Sequence, residues 1–182
     1  PFSPNSQATT KQTHTVFCVD VSGSMSGSLP KLRTQLKNKL AALMTVNLFS
    51  LIYFSGRNDW GTIFQAYQTG NASLMQAVFQ AIDNLLRPIG MTAFASPLTL
   101  AGTVIEKDCL NRLVFMTDGY NNDVSSKEVK DKLLAVAPQF DEIVFVAYGW
   151  YADNNFLNEL AILCGGRVIQ CGDFDNLDVV IS

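Results

Sequence analysis

Three short segments carry side chains whose types and spacing could do chemistry together. Asp20-Val21-Ser22-Gly23-Ser24 sets two hydroxyls after a carboxylate, Gly90-Met91-Thr92 adds another hydroxyl, and Thr117-Asp118-Gly119 adds another carboxylate. The donors are all oxygens, which suits a hard divalent cation. Mg2+ takes oxygen ligands in an octahedron at about 2.1 Å and keeps some waters. Ser22, Ser24 and Thr92 can supply neutral oxygens directly. Asp20 and Asp118 can bind the ion or accept hydrogen bonds from its waters. Two carboxylates at most neutralise a dication, so the ion keeps electrophilicity for an outside ligand, most naturally a carboxylate from a partner. Taken alone, Asp-x-Ser-x-Ser also reads as a helix N-cap or an Asx turn. Joined to Thr92 and Asp118 at the ends of later elements, it reads as a cation site.

The elements that must position these residues are legible from periodicity. The apolar run at 15–20 is too short for a helix and rich in β-formers, which predicts a strand buried on both faces and ending at Asp20. Leu32, Leu36, Leu40 and Leu43 then form one helical stripe, with Pro30 near its start. Residues 47–55 and 61–68 read as strands separated only by GRND and its neighbours. A parallel crossover needs about a dozen residues, so the pair is expected as an antiparallel hairpin. Helices are expected over about 71–86, with Asn71 as N-cap, over 97–106 capped by Ser96, over 126–137 capped by Ser125, and over 154–164 closed by Gly165-Gly166. Strands are expected at 112–117, 142–148 and 167–170, and a last helix from Asp173 onward. Alternation of strand and helix predicts an α/β, Rossmann-like, doubly wound and mostly parallel sheet with one antiparallel edge strand and helices on both faces. Ligands of such sheets bind beyond the carboxyl ends of the strands, where Asp20 and Asp118 fall. Residues 1–13 are polar and Pro/Ser/Thr-rich and read as a tail or linker, leaving 14–182 as the domain.

These residues resemble the von Willebrand factor type A (vWA) domain family. The DxSxS of its metal-ion-dependent adhesion site (MIDAS) matches Asp20, Ser22 and Ser24, its later Thr matches Thr92, and its later Asp matches Asp118. The likeness covers about residues 14–182. It implies a six-stranded sheet, Mg2+ at the top face with Mn2+ or Ca2+ as substitutes, and metal-dependent binding of a protein that presents an Asp or Glu carboxylate. The loop reads DVSGSM, which is more similar to bacterial, intracellular and inter-alpha-inhibitor heavy-chain-like members than to the DGSxS loop of integrin and collagen-binding domains. Met25, Phe94, Tyr120, Trp150 and Tyr151 fall on the same predicted loops and are expected as a partner-binding rim, although Trp and Tyr also fold inward in many proteins. Asn121, Asn122 and Asp123 read first as a polar turn.

Composition narrows the function classes. The chain has 182 residues, 48% of them hydrophobic and 16% charged, with a formal net charge of −3. That excludes a disordered chain, and the absence of a basic run argues against nucleic acid. No apolar run reaches the length that spans a bilayer. The chain opens on Pro1, as a processed protein or an excised piece of a larger one does. Cys18, Cys109, Cys164 and Cys171 show no CxxC spacing, so zinc is not expected. Cys164 and Cys171 are close enough in sequence to pair, yet no other feature marks an oxidising compartment, which tilts the expectation toward the cytoplasm. The dotted charges Lys31, Arg33, Lys37 and Lys39 read as a solvated helix face. His14, the only histidine, is placed before the first strand and assigned no role.

The function expected is therefore non-enzymatic adhesion or scaffolding through a metal. One alternative is Mg2+-dependent phosphoryl transfer or hydrolysis with Asp20 as nucleophile. Against it, Ser22 and not a second acid stands two residues on, no GxxxxGK[ST] occurs, and no Ser–His or Cys–His pair is available. Another alternative is a docking subunit of an intracellular ATPase assembly, which would use the same site.

Overall fold

The apolar run at the start of the domain forms β1 (Thr13–Asp20), and the computed structural model describes it together with the rest of residues 11–42, 47–68, 71–149 and 152–171. The remaining elements are α1 (Leu29–Ala42), β2 (Leu48–Phe54), β3 (Trp60–Gln68), α2 (Ala72–Leu85), α3 (Ala95–Thr103), β4 (Leu110–Thr117), α4 (Ser126–Val136), β5 (Glu142–Tyr148), α5 (Asn154–Cys164) and β6 (Arg167–Cys171). The six strands make one sheet in the order β3-β2-β1-β4-β5-β6. All pairings are parallel except β2 with β3, which makes β3 the antiparallel edge strand.

The two sheet faces carry separate cores. Leu32, Leu36 and Leu40 of α1 and Val78 and Ile82 of α2 pack with Phe17, Val19, Leu51, Val114 and Val146 on one face. On the other, α3, α4 and α5 bury Leu98, Ala101, Val129, Leu133, Leu157 and Leu160 against Val16, Cys18, Ile52, Phe115 and Phe145. Strands buried on both sides explain the unbroken apolar runs. Leu43, the fourth residue of the expected leucine stripe, lies outside the described residues, as does the helix expected from Asp173.

Several local expectations change. β1 starts at Thr13, so His14 lies inside a strand rather than before it, fully buried between β2 and β4. Its Nδ1 is 2.8 Å from Asn111 Oδ1 and its Nε2 is 2.7 Å from Ser50 Oγ. An acceptor at Asn111 requires a proton on Nδ1, and burial, which lowers the pKa of the ring, favours the neutral form in which Nε2 accepts from the Ser50 hydroxyl. α3 starts at Ala95, which puts Ser96 within the helix instead of at its cap. Asn71 stands at the start of α2 without a side-chain bond to it, whereas Ser125 caps α4 by accepting from Glu128 N–H at 3.1 Å. The cations of α1 are not merely solvated: Arg33 donates to the Leu86 carbonyl and Lys37 pairs with Asp83, which ties α1 to α2. No disulfide joins Cys164 to Cys171.

Candidate metal centre

Strand order reverses direction between β1 and β4, and the carboxyl ends of those strands bring the acidic loops together. In register Val19 faces Met116, so Asp20 comes alongside Thr117. Asp20 is fully buried, with both oxygens engaged: Oδ1 accepts from Ser22 N–H at 2.7 Å, and Oδ2 from the Thr117 hydroxyl at 2.7 Å. Ser24 Oγ donates to Asp118 Oδ1 at 2.8 Å and lies 3.1 Å from Ser22 Oγ. Asp20, Ser22, Ser24 and Asp118 thus form a single hydrogen-bonded cluster.

Thr92 is brought to this cluster through backbone. Gly23 N–H donates to Gly90 O at 3.0 Å and Ile89 N–H to Val21 O at 2.6 Å, which seats residues 89–92 on the Asp20 loop. From the other side, Asn122 Oδ1 accepts from Thr92 N–H at 3.0 Å, and the Asn122 and Asp123 N–H groups donate to Thr92 O at 2.9 and 3.0 Å. Asn121 Oδ1 accepts from Phe94 N–H at 3.0 Å, and Asp123 Oδ2 from Arg57 N–H at 2.5 Å. Among the described residues, the bonds that hold Thr92 run through its main chain.

Met25 and Phe94 do not stand on a rim. Both are fully buried. Phe94 packs edge-on to Phe54 and Phe115 with ring centroids 6.0 and 5.1 Å away and stacks on Phe156. Met25 enters the core formed with α1. Each is the apolar peg of a site loop, because a short loop over a dense sheet gains more by burying a large side chain than by exposing it. Tyr120 is exposed, and Trp150 and Tyr151 lie outside the described residues. Sequence reasoning left Thr117 without a role and took Asn121–Asp123 for a polar turn. Three consecutive amide or carboxylate side chains beginning three residues after Asp118 were the available signal, since such residues can satisfy a neighbouring loop's backbone.

The electrostatics explain why the cluster suits a cation. Burial pushes the Asp20 carboxyl above its usual range, with hydrogen bonds from Ser22 and Thr117 opposing the shift and nearby Asp118 adding to it. Burial also raises Asp118, opposed by the bond from Ser24. Two carboxylates held in a half-dry site destabilise each other's charge, and a divalent ion removes that conflict. Among the described residues no three His, Cys, Asp or Glu side chains gather as a metal cluster, so hydroxyls must complete any set, and the donors present are hard oxygens throughout. The residues fit Mg2+ or a similar ion.

A family model described as von Willebrand factor type A domain matches residues 15–121. The chain belongs to that family. Its vWA domain matches no curated protein in sequence. By fold it is similar to a von Willebrand factor type A protein from Catenulispora acidiphila, at 18% identity and a TM-score of 0.76 over 91% of this chain and 40% of that one. It is similar also to proximal thread matrix protein 1 from the mussel byssus, a structure with a zinc-occupied MIDAS motif, at 14% identity and 0.71 over 94% and 46%. BatB from Bacteroides thetaiotaomicron matches at 15% identity and 0.71 over 93% and 95%. This vWA chain therefore spans less than half the length of the first two proteins. At such identities the likeness is one of fold. It agrees with the six-stranded, mostly parallel sheet with one antiparallel edge. vWA domains are in general interaction modules that often depend on a metal.

Proposed function

We propose that this vWA domain is a non-enzymatic, Mg2+-dependent protein-interaction module that binds a partner through an Asp or Glu carboxylate. Asp20, Ser22, Ser24, Thr92 and Asp118 would hold the ion. The observation that carries this reading is the convergence of Asp20, Ser22, Ser24 and Asp118 into one hydrogen-bonded cluster whose neighbouring loop presents Thr92. When bound, the ion supplies a single positive centre on an otherwise mildly acidic chain, and a carboxylate is the ligand such a hard centre prefers. The zinc-occupied MIDAS of the mussel protein supports a divalent ion at the corresponding place. Asp20 supports interaction over phosphoryl transfer, because a fully buried carboxylate with both oxygens engaged is poorly placed to attack.

The test is thermal. Saturating Mg2+ at about a hundred times its Kd should stabilise the domain by about 2.7 kcal/mol, and EDTA should reverse the gain. Thr92→Ala should fold and lose most of that gain. An equal Mg2+ response from wild type and the variant would overturn the assignment.

A further inference from the structure

Large apolar side chains stand exposed on the loops that carry the cluster. Ile89, Met91 and Tyr120 are 41%, 52% and 57% exposed. Ile89 is bonded to Val21 through its backbone, Met91 precedes Thr92, and Tyr120 lies between Gly119 and the Asn121–Asp123 segment that grips the Thr92 loop. An added Cβ at Gly119 would lie 3.8 Å from Ser24 Oγ, which places the start of the Tyr120 loop against the cluster. The same loops bury Met25 and Phe94 completely, so outward projection is not their only option. Large apolar groups gathered about one polar point contribute little to folding and mark an interaction surface. The charged groups beside them are already engaged. Arg87 Nε donates to the Asp83 carbonyl, Arg57 pairs with Glu128, and Asp123 accepts from the Arg57 N–H.

We propose that Ile89, Met91 and Tyr120 form an apolar rim that selects a protein segment whose carboxylate is flanked by apolar side chains. This rests on the metal-bridge reading given above. The rim buries the flanking side chains and excludes water from around the carboxylate, and a polar contact surrounded by such a ring is strengthened by the lower local dielectric.

The probes are two short Gly/Ser peptides, one with a central Leu-Glu-Leu and one with Ser-Glu-Ser, titrated calorimetrically in Mg2+ and in EDTA. In Mg2+ the leucine peptide should bind about tenfold more tightly, the effect of partly burying a pair of aliphatic side chains. A variant combining Ile89→Ser, Met91→Ser and Tyr120→Ser changes only exposed positions, should keep its fold and its thermal response to Mg2+, and should bind the two peptides alike. Equal affinities on wild type, or a preference that survives in the triple variant, would overturn the rim while Mg2+-dependent binding left the metal bridge standing. A leucine preference unchanged by EDTA would sink the metal bridge and leave the rim as a plain apolar surface. Failure of both peptides to bind in Mg2+ would overturn both readings.

Discussion

At the scale of single residues, Asp118 and Thr92 divide the work of charge and geometry. Burial disfavours the charged form of Asp118, so a neutral isostere relieves the metal-free domain while removing a ligand. Asp118→Asn should therefore raise the melting temperature in EDTA and abolish the rise on adding Mg2+, a crossover that calorimetry in the two buffers would read. Asn122 is not among the proposed ligands, yet its side chain holds the N–H of one of them, Thr92. Residues that orient a ligand typically carry a ten- to hundredfold share of affinity. Asn122→Ala should weaken Mg2+ by about tenfold or more with only a small loss of stability, as measured by Mg2+ titration of the melting temperature. Phe94 should show the opposite balance, because its ring is a core peg. Phe94→Ala should cost about 3–5 kcal/mol in denaturant unfolding.

At the scale of elements, what matters is how each segment ends, because the site is made of ends. β1 and β4 stop at adjacent positions of neighbouring strands, so that Asp20 comes alongside Thr117 and Asp118 is the next residue of the chain. The β2–β3 turn is tied in as well, since Arg57 N–H reaches Asp123 and the Ser55 hydroxyl donates to the Met91 carbonyl at 2.6 Å. At the far end of the sheet, α5 hands the chain to β6 through Gly165, which takes the left-handed conformation at φ 69°, and Gly166. A Cβ on Gly166 would stand 2.7 Å from the Ile143 carbonyl oxygen, a contact that only movement of β5 or β6 relieves. Gly166→Ala should therefore destabilise the domain by about 2 kcal/mol or more while leaving Mg2+ affinity nearly unchanged, since the clash is remote from the cluster. Chemical unfolding and metal titration of one sample separate the effects.

At the scale of the whole molecule, the two ends of the sheet have different chemistry. The carboxyl end gathers acids and hydroxyls, and the amino end buries a neutral histidine. His14 is held below the ordinary histidine value of 6.5, chiefly by burial, with Asn111 and Glu106 opposing the shift. For a base whose folded pKa is depressed, the unfolded chain takes up protons first as pH falls. Stability should thus be complete above about 6.5 and decline as pH drops from there toward the folded value. Melting temperatures of the EDTA-treated protein, with His14→Gln as the control that removes this contribution, would check it. Deeper acidification also titrates the carboxylates, so the comparison is made between the two proteins at each pH.

The alternation of strands and helices, the antiparallel hairpin and the ordered appearance of Asp20, Ser22, Ser24, Thr92 and Asp118 were all readable from the chain, because they rest on periodicity and on donor types that one-dimensional spacing preserves. The direction in which a loop side chain points is not preserved that way. Met25 and Tyr120 look alike in sequence, both following a proposed ligand closely, yet one fills the space beside α1 and the other projects outward. His14 sits at the start of an apolar run and acquires its partners only when β2 and β4 close on either side. Asn121, Asn122 and Asp123 became holders of the Thr92 loop through hydrogen bonds across about thirty positions of sequence. Local pattern determines which residues can serve. Which of them face the cluster, the core or solvent is decided by long-range packing, because only then do competing burial and hydrogen-bond demands act on the same side chain.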